Sequence, residues 1–361
     1  MRQTNKIRKG IAWLLCTVLV LGILPMLPQM SMQISAAENA ASVFVDGVEL
    51  HAGGREYFKN GDTADSGATG TYEDHSAYYD TAGELWLNNL EAHTIKANGN
   101  LTIYVCNNQA TNTNIVTATQ NETAIEVTGY LTIRYGGYGG GTGSLTVESD
   151  GKEAIQAGSG MTVSDGVEVK ARAKSGATAI SSGGVLKIDG IRTKLEAAGD
   201  GSTGKGIFAQ QSIYVKNSAV LTAFGGAAAY ESPSGIDKSG YGYEDYNVFT
   251  GDAAPGTQAA KDTVLDGYKY IRIEPTGVAN VKTLTELQAA AQNQYISLIN
   301  VMNDITITDT VYVRRAVTIQ SPDASNVSKL IRGKSHTDVI LDFDGANGHK
   351  SDVVTLKNII V

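Results

Sequence analysis

Tyr104, Tyr130, Arg134, Tyr135 and Tyr138 fall within two neighbouring repeats of the chain and together hold side-chain types that contact sugars. Sugar rings present C–H faces that lie against aromatic rings, while arginine and other polar groups read the hydroxyls. These five are the candidate sugar-binding residues. Each tyrosine taken singly has a plainer explanation, because tyrosine is favoured on strand surfaces whatever its role. A second set is Asp342 and Asp344 in Leu341-Asp342-Phe343-Asp344. Alternate residues of a strand share one face, so these carboxylates are candidate Ca²⁺ ligands or an acid–base pair, the latter only at a defined separation. A solvated face ending in the Asp344-Gly345 turn accounts for them more simply, since surface carboxylates far outnumber functional ones.

Spacing argues against other chemistry. His51, His75, His93, His336 and His349 show no His-x-x-x-His pattern, and Cys106 stands alone once the N-terminal segment is removed, so no transition-metal site is expected. Asp-Gly pairs are scattered through the chain, but no Gly-Gly-x-Gly-x-Asp array occurs. Ca²⁺ is therefore left open as a ligand without a dedicated motif, and no other cofactor is expected. Tyr135 to Gly143 is glycine-rich and follows a strand, the setting of a phosphate loop. Its glycines do not fit Gly-x-Gly-x-x-Gly, and the strand-like Leu145-Thr146-Val147 follows where a phosphate loop would open a helix. It reads as a corner between strands.

The elements that must position these residues are visible as a register. Leu101-Thr102-Ile103, Leu131-Thr132-Ile133, Met161-Thr162-Val163, Leu186-Lys187-Ile188 and Ile213-Tyr214-Val215 recur at spacings of 30, 30, 25 and 27 residues. Ile95, Ile125, Ile155, Ile180 and Ile207 each lie six residues before a triplet. A third apolar series follows each triplet, as in Leu145-Thr146-Val147 and Val167-Glu168-Val169. Period-two alternation places alternate side chains on one strand face. The expected fold is therefore all-β: a parallel β-helix with three short strands per coil of 25–30 residues, inward ladders along its axis and Asp-Gly corners. An antiparallel sandwich would not need the constant six-residue offset.

The first 37 residues read as a signal peptide: Arg2, Lys6, Arg8 and Lys9, then an apolar run from Ile11 to Leu27, then Ser35-Ala36-Ala37 as a small-residue cleavage site. A retained membrane anchor is the other reading. Gly22, Pro25 and Pro28 in and beside the run favour removal, and no membrane insertion is expected afterwards. An extracellular or cell-surface location follows. Four of the 29 basic residues and none of the 37 acidic ones lie in this segment, which leaves 25 against 37, a formal charge of −12. That balance argues against nucleic acid as a partner. The remaining chain, which can form no intramolecular disulfide, must be held by an ample core.

Residues 38–275 are expected as one β-helix domain. Its N-terminal cover includes a hairpin, Ala77 to Asp80 and Glu84 to Leu87 around Thr81-Ala82-Gly83. Residues 225–262 are expected as a long loop, and Tyr268 to Ile273 as a closing strand broken by Glu274-Pro275-Thr276-Gly277. Residues 276–361 are expected to open a second unit. Thr283-Leu284-Thr285-Glu286 is a capping box that predicts a helix over about 283–293, and alternating apolar runs follow it. The apolar strand at Asn358 to Val361 would leave an open edge, so the natural chain is expected to continue.

In the register of Leu101-Thr102-Ile103, Gly129 to Ile133, Ser144 to Val147, Ala154 to Ala157 and Lys205 to Ala209, residues 43–275 resemble the bacterial secreted "carbohydrate-binding domain-containing" β-helix proteins of Gram-positive bacteria. Leu284 to Ala290, Ala316 to Ile319 and Thr355 to Asn358 resemble the start of a pectate-lyase-like β-helix. The resemblance implies a right-handed three-faced β-helix and a plant or acidic polysaccharide as partner, with Ca²⁺ as an optional companion. It implies no catalytic residue: Pro233, Pro255, Pro275 and Pro322 all lack the arginine of an Arg-x-Pro-x-x-Arg signature, and Gly348-His349-Lys350 departs from Gly-His-Gly at its third position. Three functions are expected in this order: a non-catalytic polysaccharide-binding protein, an adhesin or stalk using the β-helix as spacer, and a pectin-type lyase completed beyond Val361.

Overall fold

A computed structural model describes residues 38–106, 113–119, 121–137, 142–313, 315–343 and 353–361. The N-terminal segment, Tyr138 and Asp344 lie outside them. Ile95, Ile125, Ile155, Ile180 and Ile207 stand directly opposite one another in a parallel ladder, as do Leu101, Leu131, Met161, Leu186 and Ile213. All ten are buried, each contributing roughly 1.5–3 kcal/mol by leaving water. The molecule is a parallel β-helix, as the alternation predicts. Its three faces are an eight-stranded isoleucine sheet, a nine-stranded triplet sheet and a twelve-stranded third sheet. The expected corner glycines Gly151, Gly166, Gly190 and Gly201 take φ between 84° and 102°, where a Cβ would be strained.

Stacked coils leave unpaired backbone only at the ends, and antiparallel strands cover the first of these. Ser42–Val45 pairs antiparallel with Ile95–Ala97 and carries Val48–His51 outside it. The expected hairpin forms from Ala77–Tyr79 and Glu84–Leu87, and Glu56–Phe58 adds a further strand. Asp80 organises its turn by accepting from the backbone N–H of Ala82 and Glu84 at 2.9 and 3.0 Å.

Two stretches differ from expectation. Residues 225–262 do not form a long loop: Ala228–Glu231 and Ile236–Asp237 extend the isoleucine and triplet sheets by another coil, and Glu244–Gly251 with Thr257–Ala259 makes a hairpin. Glycine, serine and tyrosine mask the period there because the coil is short. The chain also does not break at Glu274–Gly277. One strand, Tyr270–Val281, runs through Pro275, pairing antiparallel with Val220–Gly225 at one end and parallel with Leu298–Val301 at the other. It therefore serves both the main core and a second apolar cluster built from 279 onward.

The capping box forms as read, with Thr283 as N-cap of a helix α1, Leu284–Gln292. Its buried Leu287, Ala290 and Ala291 face the second cluster. Arg315 closes its other end, donating to the carbonyls of Ala290 and Ala291 at 2.9 and 3.2 Å, which satisfies terminal acceptors and complements the helix dipole. Among the described residues no helix is long and apolar enough to cross a membrane.

Candidate functional site

Outward residues form ladders as strictly as inward ones. On the triplet sheet one outward column reads Tyr57, Tyr78, Trp86, Tyr104, Arg134, Ser164, Asp189 and Lys216, each opposite the next. Trp86 and Tyr104 stack with centroids 4.1 Å apart at 9°, and Tyr78 and Trp86 at 5.8 Å and 3°. His75 packs beside Tyr57 and Tyr78 at 5.2 and 5.1 Å. The Arg134 guanidinium lies 5.3 Å over the Tyr104 ring, and its charge is met by Asp165 at 2.6 Å. Burial pushes the Tyr78 phenol up to about 12 and raises that of Tyr104, where Glu84 adds to the effect.

Of the five expected sugar contacts, the structure brings Tyr104 and Arg134 together. Tyr130 is outward on the same strand as Arg134, packed across Gly160 with its hydroxyl 2.7 Å from Thr162 Oγ1. Tyr135 has the parity of Leu131 and Ile133 and packs half-buried against the core, so it does not share the outward column of Tyr104 and Arg134. Tyr57, Tyr78 and Trp86 were missed. Leu85 and Leu87 continue the inward ladder of Ile103 and Val105, and that alignment alone would have placed Trp86 on Tyr104. The consequence is chemical: in a column of adjacent large rings the faces cover one another, and the edges face outward.

A different arrangement occupies the third sheet. Its outward columns include Lys170, Glu196, Thr222 and Arg272, and beside them Arg172, Ala198, Phe224 and Tyr270. The hairpin Glu244–Gly251 and Thr257–Ala259 brings Ala254 over this surface, and Gly256 seats against the Tyr270 ring, where a Cβ would lie 2.8 Å from it. The result is a groove of about 610 Å³, within the range of ligand sites. Phe224 is half-buried in its floor. Its partner on the preceding coil is Ala198, too small to cover a ring. Arg272 pairs with Glu274, and Lys170 and Lys194 lie 3.3 and 3.9 Å from Glu168. Glu196 has no ion-pair or hydrogen-bond partner among the described residues.

Asp342 lies opposite Tyr312 in a two-stranded parallel sheet; with Asp344 outside the described residues, their pairing is not on view. No cluster of three or more His, Cys, Asp or Glu suited to a metal occurs among the described residues. Burial pushes the Cys106 thiol up to about 11, which leaves little thiolate at neutral pH.

Comparison with known proteins gives one match. Residues 278–361 match the model of the pectate lyase-like adhesive domain family. Neither the curated proteins nor the solved structures gave a match to the chain. The matched segment begins within the shared strand Tyr270–Val281 and takes in helix α1 and the second cluster. The pectate-lyase-like character expected of residues 276–361 thus has independent support, and the segment is similar to an adhesive domain.

Proposed function

We propose that this chain is an exported or cell-surface, non-catalytic adhesive β-helix that holds a polysaccharide in the groove of its third sheet. The observation that carries the reading is the half-buried Phe224 ring in a concave floor, bare on its Ala198 side and flanked by the hydroxyl of Thr222 and the charged ends of Glu196 and Arg272. A sugar lays its C–H face on such a ring, and hydroxyls meet the polar rim. A sheet face with stacked coils suits a long polymer, since the columns run along the axis. Fold alone would not license this; the groove does, together with the similarity of residues 278–361 to an adhesive domain.

The experiment is retention by immobilised polysaccharides in affinity electrophoresis, with Phe224→Ala as the comparison. Loss of the ring is expected to weaken retention at least about tenfold, or 1.4 kcal/mol, without unfolding the protein. Retention unchanged in Phe224→Ala, or no retention by any polysaccharide, refutes the groove reading.

One observation favours the spacer reading alongside it. Successive coils are tied externally by the stacked rings from Tyr78 to Tyr104 and by an amide ladder, Gln320 to Asn300 and Asn300 to Asn280, both at 2.9 Å. These ties stiffen the rod whether or not it binds. On this reading Tyr104 and Arg134 serve the stack rather than a ligand.

A further inference from the structure

The groove reading leaves the class of sugar open, and the charges of the groove narrow it. The inference here rests on that reading. Each cation near the floor has a carboxylate beside it: Arg272 has Glu274, and Lys170 and Lys194 have Glu168. Lys170 and Lys194 thus share one carboxylate, and Glu196 is the lining carboxylate with no ion pair of its own among the described residues. It stands in an outward column between Lys170, which turns to Glu168, and the uncharged Thr222. Glu196 is an exposed residue that lines the groove together with Tyr270 and Arg272. Phe224 is its diagonal neighbour on the next coil, at about 7 Å by the spacing of outward residues in a sheet.

We propose that the ligand of this groove is a polymer of amino sugars carrying free, protonated amino groups. A hexosamine ring laid on Phe224 brings its ring substituents to the distance of Glu196. There an ammonium forms a charge-assisted hydrogen bond, roughly twice as strong as a neutral one. The paired Arg272 and Glu274 remain for hydroxyls. A uronate ring of the same shape instead sets a carboxylate against Glu196, Glu274 and a chain whose formal charge after the first 37 residues is −12, and like charges brought together discriminate strongly against the wrong partner. The acidic glycan implied by the sequence resemblance is thus the one this groove is least fitted to hold without a bridging cation. A neutral glucan is tolerated but not selected, because its hydroxyls offer Glu196 hydrogen bonds without a countercharge.

The test compares hexasaccharides by titration calorimetry at mildly acidic pH and about 0.15 M salt, where long-range attraction is screened: glucosamine, N-acetylglucosamine, cellohexaose and oligogalacturonate. The glucosamine oligomer is expected to bind about tenfold or more tighter than its acetylated and neutral counterparts, and Glu196→Gln to erase that preference. An acidic protein attracts any polycation, so Glu126→Gln, a charge-matched change on the outer face of the isoleucine sheet, is the control and is expected to bind as the parent does. Equal losses in the two variants overturn the proposal. Tighter binding of cellohexaose or oligogalacturonate that is lost in Phe224→Ala overturns it while leaving the groove reading intact. Binding of none of the four overturns both.

Discussion

Glu244 offers the sharpest test of how the two parts of the molecule are joined. It opens the strand Glu244–Gly251 opposite Ala279, is only 7 % exposed, and lies where the last coil of the main core meets the end of helix α1. Its Oε1 accepts from Asn293 Nδ2 at 3.0 Å, and the same amide reaches Ser218 Oγ at 3.0 Å. Its Oε2 is buried without a partner. Burial raises its pKa above the ordinary 4.5, with Ser218 and Asn293 opposing the shift. Tyr241 and Tyr243 lie within reach of its charge, and neither supplies a countercharge; Lys261 is paired to the neighbouring Asp245. For an acid whose pKa is raised by folding, stability is full below the unfolded value and is lost as pH rises through the folded one. An orphaned buried oxygen of this kind costs about 1–3 kcal/mol, more when charged. Glu244→Gln keeps an acceptor for Asn293 and replaces the charged oxygen by a neutral amide. It is expected to match the parent near pH 4 and to be more stable by about 1–2 kcal/mol at neutral pH. Urea unfolding across that range measures the difference, and hydrogen exchange over residues 284–292 shows whether it arises at the junction. Parallel stability curves for the two proteins, or a variant less stable at neutral pH, would refute the reasoning.

Three further outcomes are expected. Tyr104→Ala removes a ring stacked on Trp86 and lying under Arg134, so it should cost about 0.5–1.5 kcal/mol of stability beyond the lost burial while leaving polysaccharide retention unchanged. Trp86 is the one tryptophan outside the first 37 residues, and a change in its emission reports the opened stack. Ile155→Ala empties a fully buried rung between Ile125 and Ile180 and should cost about 2–5 kcal/mol by chemical denaturation. Arg315→Ala frees the carbonyls of Ala290 and Ala291 and should lower stability by about 1–2 kcal/mol, seen as faster hydrogen exchange in the last turn of helix α1.

The coils were legible because burial imposes two independent rules on the same residues. A side chain inside must be apolar, and it must sit at the axial position of its counterparts above and below. Ile95 to Ile207 and Leu101 to Ile213 obey both, so their register survives a change of coil length from 30 to 25 residues. Local signals were equally readable where one turn suffices, as in the capping box at Thr283 and Glu286. What failed was long-range and antiparallel. Nothing local marks Tyr270–Val281 as a strand shared by two cores, because Pro275 and Gly277 are ordinary turn residues. The hairpin at 244–259 pairs by contacts whose period is hidden among exposed positions.

The outer faces obey only the second rule, and that decides what could be known of a site. A ring on the surface is available to a ligand only if the residues on adjacent coils leave its face bare. Tyr78, Trp86 and Tyr104 are large neighbours in one column and cover one another; Phe224 has Tyr270 on one side but Ala198 on the other, and is left bare on that side. Both facts were present in the sequence as alignments, Leu85 and Leu87 against Ile103 and Val105, and Leu195 and Ala197 against Leu221 and Ala223. Clustering of tyrosines pointed to the triplet sheet because it counts rings along the chain. Register counts them along the axis, and by that measure a small residue one coil away matters more than a second aromatic. The overhanging hairpin, which turns the open ring into a groove, is the component that no alignment of coils supplies.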